Sequence, residues 1–363
     1  IGPCRTSDTM MKNSASMALL ILASCAMTSG AEQAIVSQLP PLPEPVSNNA
    51  VVSVQSGDDE FLISFAGLGA GRSHDDTLAV TYVFSGRDNE WAEADPVPGG
   101  VGRLAAVAAA AGESAFVFGG YTVAADGTEV STPWVHSFDP VSRSFDERQP
   151  MPVPVDDAVA VTYNDRFIYL VSGWHDSGNV NLVQRYDTQS DTWAQATPIP
   201  GRGVFGHAGG IVGNTIVYCD GVAIRPYADR RREFVANNEC FIGVIDPENS
   251  RRIEWRTLEP HPGPPRYRMA AAGIDALAAV VFVGGSDNPY NYDGIGYNGE
   301  PSQPVAEILR YDLERRSWTV LAPAATGSMD HRALVGFEGA SLTVGGMLED
   351  QQVTGRVIRY TFD

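Results

Sequence analysis

The stretches "AVAVTYNDRFIYLVSG" (Ala158–Gly173) and "VQRYDTQSDTWAQATPIP" (Val183–Pro200) decide the fold. The first reads as an apolar strand, an Asn164-Asp165 turn and a second apolar strand ending at a glycine. The second reads as a third strand, a polar turn and a fourth strand. Pro198 and Pro200 stop that strand, because proline cannot donate to a β-ladder. Together they predict one antiparallel sheet of four strands in a unit of roughly fifty residues.

Two marks from this unit recur along the chain. An aromatic residue precedes a proline pair at fixed spacing in Trp91…Pro96-x-Pro98, Phe145…Pro150-x-Pro152, Trp193…Pro198-x-Pro200 and Trp255…Pro260-x-Pro262. A fifth copy, Trp318…Pro323, has Ala325 in place of the second proline, and a sixth, Val36…Pro41-x-Pro43, stands at the opposite end of the chain. The other mark is a strand ending in a glycine pair or its relic: Phe65-Ala66-Gly67, Phe118-Gly119-Gly120, Val171-Ser172-Gly173, Cys219-Asp220-Gly221, Val283-Gly284-Gly285 and Val344-Gly345-Gly346.

This pattern resembles the kelch repeat from about residue 35 to Asp363. Six copies imply an all-β, six-bladed kelch-type β-propeller over residues 34–363. After Gly346 only "VTGRVIRYTF" remains as strand material. The segment around Val36 is therefore expected to supply the missing fourth strand, closing the ring and removing two sheet edges.

Strand alternation puts the second-to-third connections and the fourth-to-first connections on one face. The long, irregular segments fall there: "GGYTVAADGTEVSTP", "SGWHDSGN", "DGVAIRPYADRRREFVANN" and "GGSDNPYNYDGIGYNGEPSQP". Long loops on a rigid scaffold are where binding residues gather. The ligand-binding candidates are Arg103, His207, Arg268 and His331 at the starts of inner strands, with Trp174, Arg225, Tyr290, Tyr292 and Tyr297 from the loops. Guanidinium groups suit carboxylates or sulfates, and the aromatic residues suit sugar faces or partner proteins. For Arg268 and Asp157 a purely structural pairing between blades is an equal expectation.

Bulk composition narrows the function classes. The chain has 363 residues and a formal net charge of −19, which repels nucleic acid and anionic lipid. Charged residues make up only 19%, while 37 glycines and 24 prolines favour short strands and turns. The six histidines show no close metal-ligand spacing, and no phosphate-binding glycine loop or nucleophile elbow occurs. No cofactor or metal is expected.

The amino terminus carries different information. Residues 1–9 are expected to be an upstream leader, and residues 10–25 a signal peptide with Lys12 before the short apolar run Met17–Ala23. Leu22-Ala23-Ser24-Cys25 resembles a lipobox, which implies acylation of Cys25; an ordinary cleavage between residues 26 and 34 is the alternative. Residues 26–33 would be a short linker. Of the four cysteines only Cys219 and Cys240 lie in the body, a disulfide candidate in an exported chain, with two buried thiols as the alternative.

Two enzyme families share the architecture. Galactose oxidase holds copper on a seven-bladed kelch propeller, with one histidine directly after a tyrosine. No Tyr-His pair occurs here, so copper oxidation is not expected. "PVPGGVGR" (Pro96–Arg103) resembles the start of a blade in exported bacterial N-acetylneuraminate epimerases. That resemblance implies a catalytic Glu directly after the glycine of blade four, where Val222 stands, and an arginine a few residues on, a place open to Arg225 or Arg230–Arg232. Asp229, Glu233, Asp293 or Glu300 are the substitutes for the acid. The expectation is an exported, monomeric binding protein, membrane-attached only through a lipid anchor. Its partner would be an acidic carbohydrate, a related small molecule or an envelope protein, with sugar-anomer isomerisation as the alternative.

Overall fold

The computed structural model describes residues 1–2, 34–229, 232–323 and 326–362. The leader reading beyond residue 2 and the signal-peptide and linker readings, with Cys25, fall outside the described residues, as do Arg230 and Arg231.

Six four-stranded antiparallel sheets follow one another along the chain. Blade 1 runs Ala50–Ser56, Asp59–Leu68, Thr77–Ser85 and Glu90–Ala94, from inner to outer strand. Blade 2 runs Val107–Ala111, Ser114–Phe118, Val135–Asp139 and Ser144–Glu147. Blade 3 runs Val159–Tyr163, Phe167–Val171, Val183–Asp187 and Thr192–Gln195. Blade 4 runs Ala208–Val212, Thr215–Cys219, Cys240–Asp246 and Asn249–Leu258. Blade 5 runs Ala270–Ile274, Ala279–Val283, Ile308–Asp312 and Ser317–Leu321. Blade 6 takes Val335–Phe337, Ala340–Val344 and Val357–Thr361 from the end of the chain, and Ile35–Leu39 pairs antiparallel along Val357–Thr361 as its outer strand.

Packing closes the ring. Each blade shares a buried apolar cluster with the next, from Ile63 and Phe65 against Val117 and Phe138 (blades 1 and 2) round to Leu342 and Phe337 against Leu62 and Phe84 (blades 6 and 1). A further cluster, including Leu68, Leu104, Tyr267, Met329 and Met347, lies at the centre.

The tryptophan and proline marks have one physical cause. The indole N–H of Trp193 donates to Gln149 O (2.9 Å), that of Trp255 to Thr197 O (3.1 Å) and that of Trp318 to Glu259 O (2.8 Å). In each case the acceptor directly precedes the first proline of the preceding blade. Trp91 donates in the same way to Pro40 O (2.8 Å), next to Pro41.

The glycine mark has a cause as well. The second residue of each pair has positive φ, and a Cβ there would lie 2.7 Å from Leu104 O at Gly120 and 2.9 Å from Tyr267 O at Gly285. The carbonyl approached belongs to the residue that precedes a left-handed residue at the start of an inner strand. Those left-handed residues are Asn48, Ala105, Asp157, Gly206, Arg268 and Asp330, one for each blade. They form a hydrogen-bonded ring about the centre. Asp157 N–H donates to Ala105 O (2.9 Å), Gly206 to Asp157 (2.9 Å), Arg268 to Gly206 (2.8 Å), His331 to Arg268 (3.2 Å) and Asn48 to Asp330 (3.3 Å), while the Asn48 side chain accepts from Ala105 N–H.

Candidate functional site

Asp157 and Arg268 of the left-handed ring line the floor of a cavity of about 840 Å³. Its walls come from the second-to-third connections of blades 2, 3, 4 and 5. Short hairpins shape three of these connections: Tyr121–Val123 with Glu129–Ser131, Trp174–His175 with Gly178–Asn179, and Val222–Arg225 with Glu233–Ala236. The blade-5 connection crosses to the other side of the mouth. Arg72 of blade 1 donates to Asp293 O, and Gln351 of blade 6 to Ser302 O (2.8 Å). This crossing covers the blade-6 and blade-1 side and leaves the opening to the other four blades.

An aromatic wall runs along the cavity. Trp174 packs on Phe205 (5.3 Å between centroids) and Phe234 (5.7 Å), and Phe234 stacks on Tyr297 (4.5 Å, 27°). The Arg232 guanidinium lies 4.9 Å from the Trp174 ring centre and 5.6 Å from that of Phe234, and it donates to Ser177 O. Asn288, Asn291 and Asn298 supply amides from the blade-5 loop.

Carboxylates outnumber guanidiniums here. Among the described residues, Glu129, Asp156, Asp157, Asp176 and Glu233 line the cavity with Arg232 and Arg268. At the floor Arg268 bonds Asp157 (2.7 Å) and Asp330 (3.0 Å), and Arg332 lies 3.3 Å from Asp157 and 3.6 Å from Asp330. Arg332 also donates to Asn48 Oδ1 (2.6 Å). These two arginines and two aspartates neutralise one another.

Adjacent aspartates are driven to opposite states. Burial would raise the Asp157 carboxyl, but Arg268 and Arg332 hold it below the usual range. Burial pushes Asp156 well above it, with the charges of Asp157 and Glu129 adding and a hydrogen bond from Ser131 (2.6 Å) opposing. Glu129 is raised too, by burial, partly offset by Arg268.

Of the nine residues the sequence suggested, Trp174, Arg268 and Tyr297 line the cavity. Arg103 does not: it is buried, donates to Gly119 O (3.0 Å), lies over Trp134, and is pushed down to about 10 by burial. His207 packs against Tyr218 (5.6 Å), and His331 bonds Ser328 Oγ (2.9 Å) while its ring abuts Gly346. Tyr290 is fully buried against Tyr267 (5.1 Å) and the Arg268 guanidinium (5.3 Å), so it supports the floor from outside the lining. Tyr292 is half-buried beyond the lining, and Arg225 is exposed on its hairpin near Glu233 (3.7 Å). Sequence reasoning passed over Glu129, Ser131, Phe205 and Phe234, whose one signal was membership of the connections on this face. At the blade-4 position implied by the epimerase resemblance Val222 is buried, and Asp220 beside it is taken by His261 (2.7 Å) and the Arg266 N–H (2.7 Å). Of the substitute acids, Glu233 reaches the lining.

Cys219 and Cys240 are bonded to one another, buried and directly opposite in adjacent strands of blade 4. Among the described residues no three His, Cys, Asp or Glu side chains form a metal-ligand group, and no helix is long and apolar enough to cross a membrane.

No family model matches the sequence. Kelch-like protein 15 of Homo sapiens is 23% identical over 256 residues, 68% of this chain, and that of Danio rerio 23% over 257 residues, 69% of this chain. The chain spans 39% of the length of these curated relatives. The solved "Structure of YjhT" superposes with a TM-score of 0.70 at 17% identity, covering 90% of this chain and 98% of that one. The fold is a six-bladed kelch-type β-propeller. A kelch-type propeller is in general a binding scaffold.

Proposed function

We propose that the chain is an exported binding protein whose cavity takes a hydroxyl-rich ligand of carbohydrate size. The observation that carries this reading is the cavity itself, an aromatic wall combined with amides and carboxylates in about 840 Å³. Ring faces suit the apolar faces of sugars, and carboxylates and amides suit their hydroxyls. An acidic glycan would rely on Arg232, the described lining guanidinium outside the floor pairs. A glycan array read by direct binding tests the proposal. Trp174→Ala and Tyr297→Ala should each weaken the captured glycan about ten-fold, the loss of roughly one good stacking contact. Failure of every neutral and charged glycan to bind sinks it and leaves a partner protein as the occupant of the mouth. Export through an acylated Cys25 is part of the proposal: Cys25→Ala should move the protein from the membrane to the soluble fraction.

A second reading is favoured by the adjacent aspartates. Burial raises Asp156 while Arg268 and Arg332 lower Asp157 beside it, and such divergence between neighbouring carboxyls is how acid and base roles are divided in an exchange of sugar anomers. NMR of anomer exchange, N-acetylneuraminate included, decides it: a rate equal to buffer with wild type ends this reading.

A further inference from the structure

We infer that the ligand presents a positively charged nitrogen to Glu129 and Asp156, beside the ring faces of Trp174 and Phe234. This deepens the hydroxyl-rich-ligand reading and rests on it. The floor arginines and aspartates cancel, so they give the cavity no net charge. Glu233 is engaged by the Tyr227 hydroxyl (2.6 Å) and lies 3.7 Å from Arg225, and Asp176 accepts the Ser131 N–H (3.1 Å) and lies 3.9 Å from His175 Nδ1.

Among the described residues two lining carboxyl groups, Glu129 and Asp156, form no ion pair. Glu129 has no side-chain hydrogen bond or ion pair among the described residues. Asp156 is 97% buried; one oxygen takes the Ser131 hydroxyl and the other has no hydrogen bond although it belongs to the lining. The buried Asp156 carboxylate is costly without a counter-charge, Glu129 stands exposed at the cavity wall, and a cationic ligand supplies a counter-charge to both. Desolvation raises both groups, partly offset by the charge of Arg268.

The aromatic wall points the same way. Ring faces attract cations, and the chain's own guanidinium, that of Arg232, already lies over Trp174 and Phe234. Arg232 and a cationic ligand would compete for those faces. An anionic ligand would instead need Arg232 and meet Glu129 and Asp156 as repulsion.

The test compares three trisaccharides by calorimetry at neutral pH: N,N,N-trimethylated glucosamine, N-acetylglucosamine and galacturonic acid. The trimethylated trimer should bind about ten-fold tighter than the N-acetyl trimer, and the galacturonate trimer weakest. Glu129→Gln should cost the cationic trimer about ten-fold and the N-acetyl trimer less than about two-fold. Arg232→Ala should tighten the cationic trimer about three-fold. Both variants change side chains at the cavity, and their melting temperatures verify folding. Equal or tighter binding of the N-acetyl or galacturonate trimer overturns the inference and leaves the hydroxyl-rich reading standing. A Glu129→Gln loss equal for all three trimers, or weaker cationic binding in Arg232→Ala, overturns it likewise. No binding by any trimer overturns the inference, and the glycan array then decides the hydroxyl-rich reading.

Discussion

At the scale of single residues, the centre of the molecule is a set of charges that cannot be removed one at a time. Arg268 is almost wholly buried between Asp157 and Asp330. Arg268→Met would leave both carboxylates short of a partner in a dry site, and the folded state should lose about 3–5 kcal/mol, measured by urea unfolding. The buried histidines add a pH dependence whose sign is set by burial. His207 is pushed down to about 4 by burial, and His331 to about 3 by burial with the Arg332 charge adding. Unfolding returns both to the ordinary value of 6.5. Below that value the unfolded chain binds protons that the folded chain refuses. Their stabilising effect is therefore complete above pH 6.5 and falls as the pH drops toward 4, by up to about 1.4 kcal/mol per pH unit for each histidine. His331→Gln should flatten the stability profile over that window by one proton; an unchanged slope would count against the assignment.

At the scale of elements, each repeat mark does one mechanical task. The indole N–H of one blade is tied to the carbonyl before the prolines of its neighbour, so those marks concern contact between blades. Phe145 in blade 2 has no N–H to offer and keeps only the packing, against Phe138 (4.7 Å). The second glycine of each pair admits the close approach of an inner-strand carbonyl. Blade 4 carries an additional tie, the Cys219–Cys240 bond, across a sequence separation of 21. A loop of that length predicts that the Cys219→Ser, Cys240→Ser double variant loses roughly 3 kcal/mol. Chemical denaturation with and without reductant measures it, with wild type falling to the variant's stability once reduced.

At the scale of the whole molecule, the first and last strands share one sheet, so the two ends of the propeller depend on each other. Ile35–Leu39 covers the edge of Val357–Thr361, and Leu42 and Val46 are buried behind it. Removing residues up to Pro43 should expose that edge and cost about 2 kcal/mol from Leu42 alone. The expected readouts are a lower melting temperature and self-association by light scattering; unchanged scattering with the parent melting temperature would show that closure contributes little.

The repeats made the blades, their order and the face bearing the long connections legible in the sequence alone, because each rests on spacing within a short segment. Trp174, Arg268 and Tyr297 could be found that way, since Trp174 and Tyr297 lie in long second-to-third connections and Arg268 at the start of an inner strand. Which charges remain available could not be found. Asp157 meets Arg268 across 111 residues, and Arg332 meets Asn48 across 284. No local spacing records such contacts. Nor does local sequence show that Asp157, Arg268 and Asp330 adopt left-handed backbone, that Arg103 packs by Gly119 and Trp134, or that Glu129 and Asp156 line the cavity. Spacing along the chain determined the scaffold; closure of the ring, which packs six distant segments around one axis, decided the electrostatics of its cavity.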